Sequence, residues 1–200
     1  MYQIVGSPRS RLTRVSWALQ ELAEPYEIVT LKPHTPEITK YNPAGKGPIL
    51  VDGKIVVIDS AAIVTYLSDK HIEKGLGAAP ASAERALMDS WIHFAQNDLE
   101  APLWLKLRHT FLLPEEMRAD VSKITRYDFA VAIKAMDIRL GANEYAIGDR
   151  FTVADIILGH CGYWARSAKF SIESDTVNAY FDRILSRDGL KRARELEKDL

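Results

Sequence analysis

Lys46-Gly47-Pro48-Ile49-Leu50-Val51-Asp52-Gly53-Lys54-Ile55-Val56-Val57-Ile58-Asp59-Ser60 is the stretch around which the rest of the chain is organised. Residues 49–51 and 55–58 are apolar and rich in β-branched side chains, and Asp52-Gly53 lies between them. Asp-Gly between two such runs is a strong hairpin signal, because both residues tolerate positive φ. Proline cannot donate to a sheet ladder, so Pro48 belongs at a strand end or edge. Asp59-Ser60 closes the hairpin and opens an apolar-periodic run, Ala61, Ala62, Ile63, Val64, Tyr66 and Leu67. An aspartate or serine there is an N-cap for the helix that follows. Strand, tight turn, strand and helix N-terminus then face the proline. Such a helix end suits a carboxylate, through oriented amides and the positive end of the dipole.

Outward from this stretch the pattern is regular. Residues 3–6 read as a short strand, and Gly6-Ser7-Pro8 as a turn. Leu12, Val15, Ala18, Leu19 and Leu22 then fall at helical spacing. Glu24-Pro25 ends that helix, and residues 26–31 alternate as a second strand. A short helix is expected near residues 37–41. The order β-α-β-α-β-β-α implies a mixed sheet with helices on both faces. Residues 74–81 are small and turn-rich and divide residues 1–73 from 82–200.

After that boundary nothing reads as a strand. One helix runs through Leu87, Met88, Trp91, Phe94, Ala95, Leu99 and Leu103, and Pro102 predicts a kink within it. Leu113-Pro114-Glu115-Glu116 is expected to start another. Its stripe is Val121, Ile124, Tyr127, Phe129, Val131, Ile133, Met136, Ile138 and Leu140, and Gly141 stops it. In Phe151-Thr152-Val153-Ala154-Asp155-Ile156-Ile157, Thr152 and Asp155 form a capping-box variant, and Phe151 can staple onto Ile156. Residues 176–185 and 190–196 are the last two helices.

Composition bounds the function. A chain of 200 residues with 47% hydrophobic and 26% charged residues can bury a real core. The net charge of −1 gives no basic footprint, so nucleic acid is not an expected partner. No apolar run reaches the roughly 18 residues of a membrane span, and the N-terminal strand pattern does not read as a secretory signal. Cys161 is the one cysteine, which excludes an internal disulfide and a Cys-x-x-Cys motif and suits a reducing, cytoplasmic setting.

Both halves resemble the glutathione transferases. The family pattern K-V-P-x-L followed by E-S-x-A-I reads here as Lys46-Gly47-Pro48-Ile49-Leu50 and Asp59-Ser60-Ala61-Ala62-Ile63. Arg14-Val15-Ser16-Trp17-Ala18-Leu19 resembles the family's R-V-x-x-A-L segment, and F-T-x-A-D-I recurs in the family's helical half as a folding element. The resemblance is to soluble, serine-type, bacterial-like members. It implies an α/β thioredoxin-like N-terminal domain followed by an all-α C-terminal domain. It also implies a cis proline, glutathione as co-substrate, and a homodimer. Carried across residue by residue, Lys46 would meet the glycine carboxylate and Gly47, beside Pro48, the cysteinyl backbone. Asp59 and Ser60 would hold the γ-glutamyl end. Gly47 for valine and Asp59 for glutamate are departures from the pattern.

Activating glutathione near neutral pH means lowering a thiol pKa from ~8.5 by about 2 units, roughly 2.7 kcal/mol. One hydroxyl bonded to the thiolate supplies about 1.5–3 kcal/mol, and a helix N-terminus about 0.3–1 kcal/mol. No metal is required. Ser7, Ser10 and Thr13 can all donate. The resemblance favours Ser10, four residues before Arg14, with Ser7 second; a helix-capping role suits Ser10's position equally. Tyr2 lies in a strand, which disfavours a tyrosine-type enzyme. Arg11, Leu12, His93, Gln96, Asn97, Trp104, Arg108 and Trp164 are candidates for a second-substrate pocket, although most of the aromatics read as core. Lys32 and His34 read as solvated loop residues. His71, His109 and His160 have no partner at ligand spacing, so no metal is expected. Cys161 reads as an inert core thiol. The expected activity is attack of glutathione thiolate on a small hydrophobic electrophile. A glutathione-dependent isomerase and a silent protein-binding relative are the alternatives.

Overall fold

A computed structural model describes residues 1–200 and resolves into two compact units. One comprises Met1–Arg85 with Ser186–Leu200, the other Ala86–Leu185.

The first unit carries β1 (Tyr2–Gly6), α1 (Leu12–Leu22), β2 (Tyr26–Thr30), α2 (Pro36–Thr39), β3 (Ile49–Asp52), β4 (Ile55–Ile58) and α3 (Ser60–Lys70). The strand order is β2-β1-β3-β4. β1 runs parallel to β2, which needs the α1 crossover, and the other two pairings are antiparallel. Because side chains alternate across a strand, Val5 and Ile49 share one face and pack with Ile38 of α2. Ile4 and Leu50 point to the other face, against which α1 and α3 pack. This is the mixed, thioredoxin-like sheet that the element order implies.

The hairpin turn differs from the expectation by one residue. Asp52 pairs with Ile55, so the turn residues are Gly53-Lys54, and only Gly53 takes positive φ, at 61°. A glycine at the first turn position is one of the two favoured hairpin solutions. Asp52 stays in the strand because α3 holds its carboxylate: Tyr66 donates to Oδ2 at 2.7 Å, and Lys70 donates to the same oxygen. These bonds hold the Asp52 carboxyl below its ordinary range. A depressed folded pKa contributes stability above the unfolded value, lost as pH falls through the folded one. Asp52→Asn should therefore lower unfolding free energy by under about 1 kcal/mol near pH 7, since both groups are partly solvated. That difference should shrink as pH falls below the ordinary carboxylate range in urea titrations.

The chain between the helical regions is packed. Leu76, Gly77 and Ala78 are buried, and a Cβ on Gly77 would lie 2.8 Å from Ser68 Oγ. Arg85 pairs with Asp69 at 2.6 Å. The last helix of the chain, α9 (Asp188–Leu196), packs on α1 within this first unit. Arg187 makes a two-pronged contact with Glu21, at 2.8 and 2.7 Å. A Cβ on Gly189 would fall 2.5 Å from Glu21 Oε1, so glycine permits the close approach.

The second unit is helical: α4 (Ala83–Phe94), which begins at the boundary, then α5 (Ala101–Leu107), α6 (Ser122–Leu140), α7 (Val153–Ser167) and α8 (Asp175–Leu185). The irregularity expected at Pro102 takes the form of a π-helical segment, Ala95–Glu100, directly before α5; a second, Arg108–Leu112, follows it. Wider winding is one way a helix absorbs a missing N–H. Leu113-Pro114-Glu115-Glu116 yields one 3-10 turn, Glu115–Met117, and α6 starts later, at Ser122. Asp120 Oδ1 accepts the Ser122 N–H at 2.9 Å and sets that start. The expected single stripe on α6 is two faces. Phe129, Ile133, Met136 and Leu140 are buried, whereas Ile124, Tyr127, Val131 and Ile138 are exposed. The capping box at α7 forms as expected from Thr152 and Asp155. No helix is long and apolar enough to cross a membrane.

Candidate functional site

The loop between β1 and α1 is built from local hydrogen bonds. Ser7 Oγ donates to the Leu31 carbonyl at 3.2 Å, just beyond β2. Arg9 takes φ of +56°, uncommon for a residue with a side chain. Ser10 Oγ donates to the Ser7 carbonyl at 2.6 Å and accepts the Leu12 N–H at 3.2 Å. Ser10 thus satisfies one of the first donors of α1, the capping role its position allows. Arg11 is half-buried and Leu12 fully buried.

Next to this loop lies the segment before β3. Gly47–Pro48 is a cis peptide. A Cβ on Gly47 would stand 3.0 Å from Gly6 Cα and 3.1 Å from the Val5 carbonyl oxygen. The glycine that replaces the family's valine therefore fits a close backbone approach to the end of β1. Lys46 is exposed, and its carbonyl accepts from Asn42 Nδ2 at 2.7 Å. Asn42 is buried and also accepts the Ala44 N–H at 3.0 Å, so one side chain braces the whole loop. Asn42 is not among the site residues that the sequence singles out, although the Asn42-Pro43 pair is a turn signal that marks it.

Asp59 and Ser60 begin α3. Asp59 has φ of +72°, and its Oδ1 accepts the Ala61 and Ala62 N–H groups at 2.9 and 3.4 Å. Oδ2 makes neither of these contacts, so capping leaves one carboxylate oxygen for another donor. Ser60 is buried, and its Oγ accepts from Arg14 Nη1 at 3.1 Å. A guanidinium only donates, so the Ser60 hydroxyl hydrogen must point elsewhere. A buried cation behind a hydroxyl at a helix N-terminus makes a strong anion-facing donor set. Arg14 is itself fully buried.

The first unit therefore brings Ser7, Ser10, Lys46, Gly47, Pro48, Asp59 and Ser60 onto one small sheet and its flanking helices. His93, Gln96, Asn97, Trp104, Arg108 and Trp164 belong to the second unit. His93, Asn97 and Arg108 are exposed, while Gln96, Trp104 and Trp164 are half-buried. Gln96, Asn97 and Arg108 lie in the two π-helical segments, a winding often found at functional positions. Trp164 meets His160 edge-on at 6.4 Å. Cys161 is fully buried, with Sγ 3.8 Å from the Ala95 carbonyl oxygen.

Known proteins share this architecture. Residues 1–75 match the family model for the glutathione S-transferase N-terminal domain. Glutathione S-transferase 3 of Schizosaccharomyces pombe is 31% identical over 161 residues, which span 73% of this chain and 66% of that protein. Glutathione S-transferase 3 of Zea mays is 32% identical over 164 residues, 76% of this chain and 73% of that one. Elongation factor 1-gamma of Prunus avium is 30% identical over 182 residues, which are 86% of this chain but 41% of that protein. The solved structure of a glutathione-S-transferase from Xylella fastidiosa superposes with a TM-score of 0.87 over 98% of both chains, at 24% identity. With the matching sheet, the helical second half and relatives of this identity and coverage, the chain belongs to the glutathione S-transferase family.

Proposed function

We propose that this protein is a serine-type glutathione transferase. Glutathione lies along the segment Lys46-Gly47-Pro48, with its γ-glutamyl end at Asp59 and Ser60 and its glycine carboxylate at Lys46. A hydroxyl from the β1–α1 loop, Ser10 in the first instance and Ser7 in the second, donates to the sulfur and favours the thiolate. The observation that carries this is the buried Arg14–Ser60 bond at the start of α3. It occupies a lone pair of Ser60 Oγ and leaves the hydroxyl hydrogen to be donated at a helix N-terminus, where an α-carboxylate gains most. The thiolate attacks an electrophilic carbon, a carbon–sulfur bond forms, the leaving group departs with its electron pair, and the thiol proton passes to solvent. Arg11 and the six candidates of the second unit are the residues to vary for the electrophile; Leu12, fully buried, is core instead.

Retention on immobilised glutathione followed by turnover of a chlorodinitrobenzene tests this. Chloride release with formation of the thioether supports a transferase. Binding without turnover favours the second reading, a silent module that serves partner proteins. The similarity to part of an elongation factor supports that second reading. Conversion of a substrate without consumption of glutathione would identify the isomerase.

A homodimer in a reducing, cytoplasmic setting goes with this proposal. Exposed Ile55, Val56 and Ile58 on edge strand β4, and Ile124, Tyr127, Val131 and Ile138 on α6, are apolar surface that an isolated chain leaves to water. Sedimentation equilibrium should return about twice the 22.5 kDa chain mass, and Val131→Glu should shift it toward one.

A further inference from the structure

Glu197, near the end of the chain, is buried to 1% exposure. Its Oε2 accepts the Arg9 N–H at 2.7 Å and the Thr13 hydroxyl at 2.8 Å. Its Oε1 accepts the Ser16 hydroxyl at 2.6 Å. Two of these donors lie on α1. The third is the backbone of the residue held at positive φ, directly before Ser10. The helix leading to Glu197 is fixed on α1 by Arg187 on Glu21 and by Arg192 Nε on Gln20 Oε1 at 3.0 Å. A carboxylate delivered on so rigid a mount clamps the loop at one amide.

We propose that Glu197 is a positioning residue for the reacting hydroxyl. Its carboxylate holds Arg9 in the left-handed conformation, and this sets where Ser10 Oγ stands relative to the sulfur of bound glutathione. The proposal rests on the function proposed above. The clamp itself is independent of it. A residue with a side chain rarely holds positive φ without an external bond to keep it there. Ser16 does not need Glu197 in the same way, since its Oγ also lies 3.2 Å from the Thr13 carbonyl oxygen and can turn to it. The Arg9 N–H has no such second choice in this geometry. Removing the carboxylate therefore frees the loop more than it loosens α1.

Three variants test this. Glu197→Leu removes every acceptor. Glu197→Gln can turn its oxygen to Arg9 and its amide to the Ser16 hydroxyl, which can accept, so it retains the clamp. Ser16→Ala removes one buried bond to the same carboxylate and leaves the loop contact. Amide hydrogen exchange at Arg9 should quicken about tenfold or more in Glu197→Leu, and stay within about threefold of the native rate in the other two. With glutathione bound, kcat in Glu197→Leu should fall about tenfold with KM for glutathione nearly unchanged, the mark of an interaction felt mainly in the reacting state. The ultraviolet titration of the bound thiol should move up by about one pKa unit. Glu197→Gln should restore both. Native exchange at Arg9 in Glu197→Leu, or equal acceleration in Ser16→Ala, overturns the clamp. Altered exchange with unchanged kcat and thiol titration overturns the catalytic role and leaves the transferase reading intact. A native protein that never turns over glutathione defeats that reading and the catalytic role with it, and the exchange data then decide the clamp alone.

Discussion

Ser10→Ala is expected to lower kcat by about tenfold to a hundredfold while the affinity for glutathione changes by less than about threefold, because a hydroxyl on a thiolate is worth roughly 1.5–3 kcal/mol. The structure makes this test sharper than a simple deletion. Ser10 Oγ already has two bonds, donating to the Ser7 carbonyl and accepting from Leu12. To reach a thiolate, its proton must leave a neutral carbonyl for an anion, an exchange that favours the charge-assisted bond. The bond from the Leu12 N–H can persist through that rotation, so α1 keeps its first-turn acceptor while the sulfur is stabilised. Alanine removes both functions at once and should also cost about 1 kcal/mol of stability. Ser10→Thr keeps the hydroxyl and should recover most of the rate. Pre-steady-state turnover alongside calorimetric titration with glutathione separates the two effects. Ser7→Ala is the necessary companion, since Ser7 Oγ is held by the Leu31 carbonyl in a similar way. A native rate in Ser10→Ala with a loss in Ser7→Ala transfers the role, and native rates in both mean that no loop hydroxyl activates the thiol.

The legibility of this chain follows the range of the interactions involved. The β3–β4 hairpin, the Asp59 cap and the Thr152–Asp155 box are decided within a few residues, so turn chemistry and capping rules reach them. Even there the turn slipped by one position, because Asp52 answers to Tyr66 and Lys70 on the next helix rather than to its neighbour Gly53. The α6 stripe departs from its periodicity for a different reason. Ile124, Val131 and Ile138 are apolar and periodic, yet exposed. Periodicity identifies an apolar face without saying whether this chain or another surface covers it. Asn42 braces its loop through contacts two and four residues away and is marked by its turn signal, whereas Arg14 and Glu197 lie beyond local rules. Arg14 and Ser60 are 46 positions apart and Glu197 and Arg9 are 188 apart. A buried charge leaves no local mark in a sequence when its partners are that distant. The candidate glutathione residues were legible through family resemblance. The braces behind them, Arg14 on Ser60 and Glu197 on Arg9, are made only by the folded chain.

Asp155→Ala should destabilise the second unit by about 3–5 kcal/mol, because it strands several buried donors at about 1–3 kcal/mol each. Asp155 is completely buried, and each of its oxygens accepts two bonds. Oδ2 takes the Thr152 N–H at 2.7 Å and the Thr152 hydroxyl at 3.1 Å. Oδ1 takes the Ala146 N–H at 2.8 Å and the Tyr180 hydroxyl at 2.7 Å. One carboxylate thus joins the start of α7, the loop before it and the core of α8. Alanine orphans two backbone donors and a buried phenol, and each buried unsatisfied group costs about 1–3 kcal/mol. The pH dependence distinguishes this from an ordinary ion pair. Burial pushes the Asp155 carboxyl above its ordinary range, outweighing the hydrogen bonds that pull it down. With the folded pKa raised, its titration contributes stability that is full below the unfolded pKa and lost as pH rises through the folded one. The gap between native protein and Asp155→Ala should therefore widen, or at least hold, from about pH 7 to pH 4, whereas the Asp52 contribution shrinks over the acid range. Urea unfolding followed by tryptophan fluorescence at both pH values measures it. A gap that narrows on acidification would mean that the four bonds outweigh burial and that the carboxylate is anionic throughout.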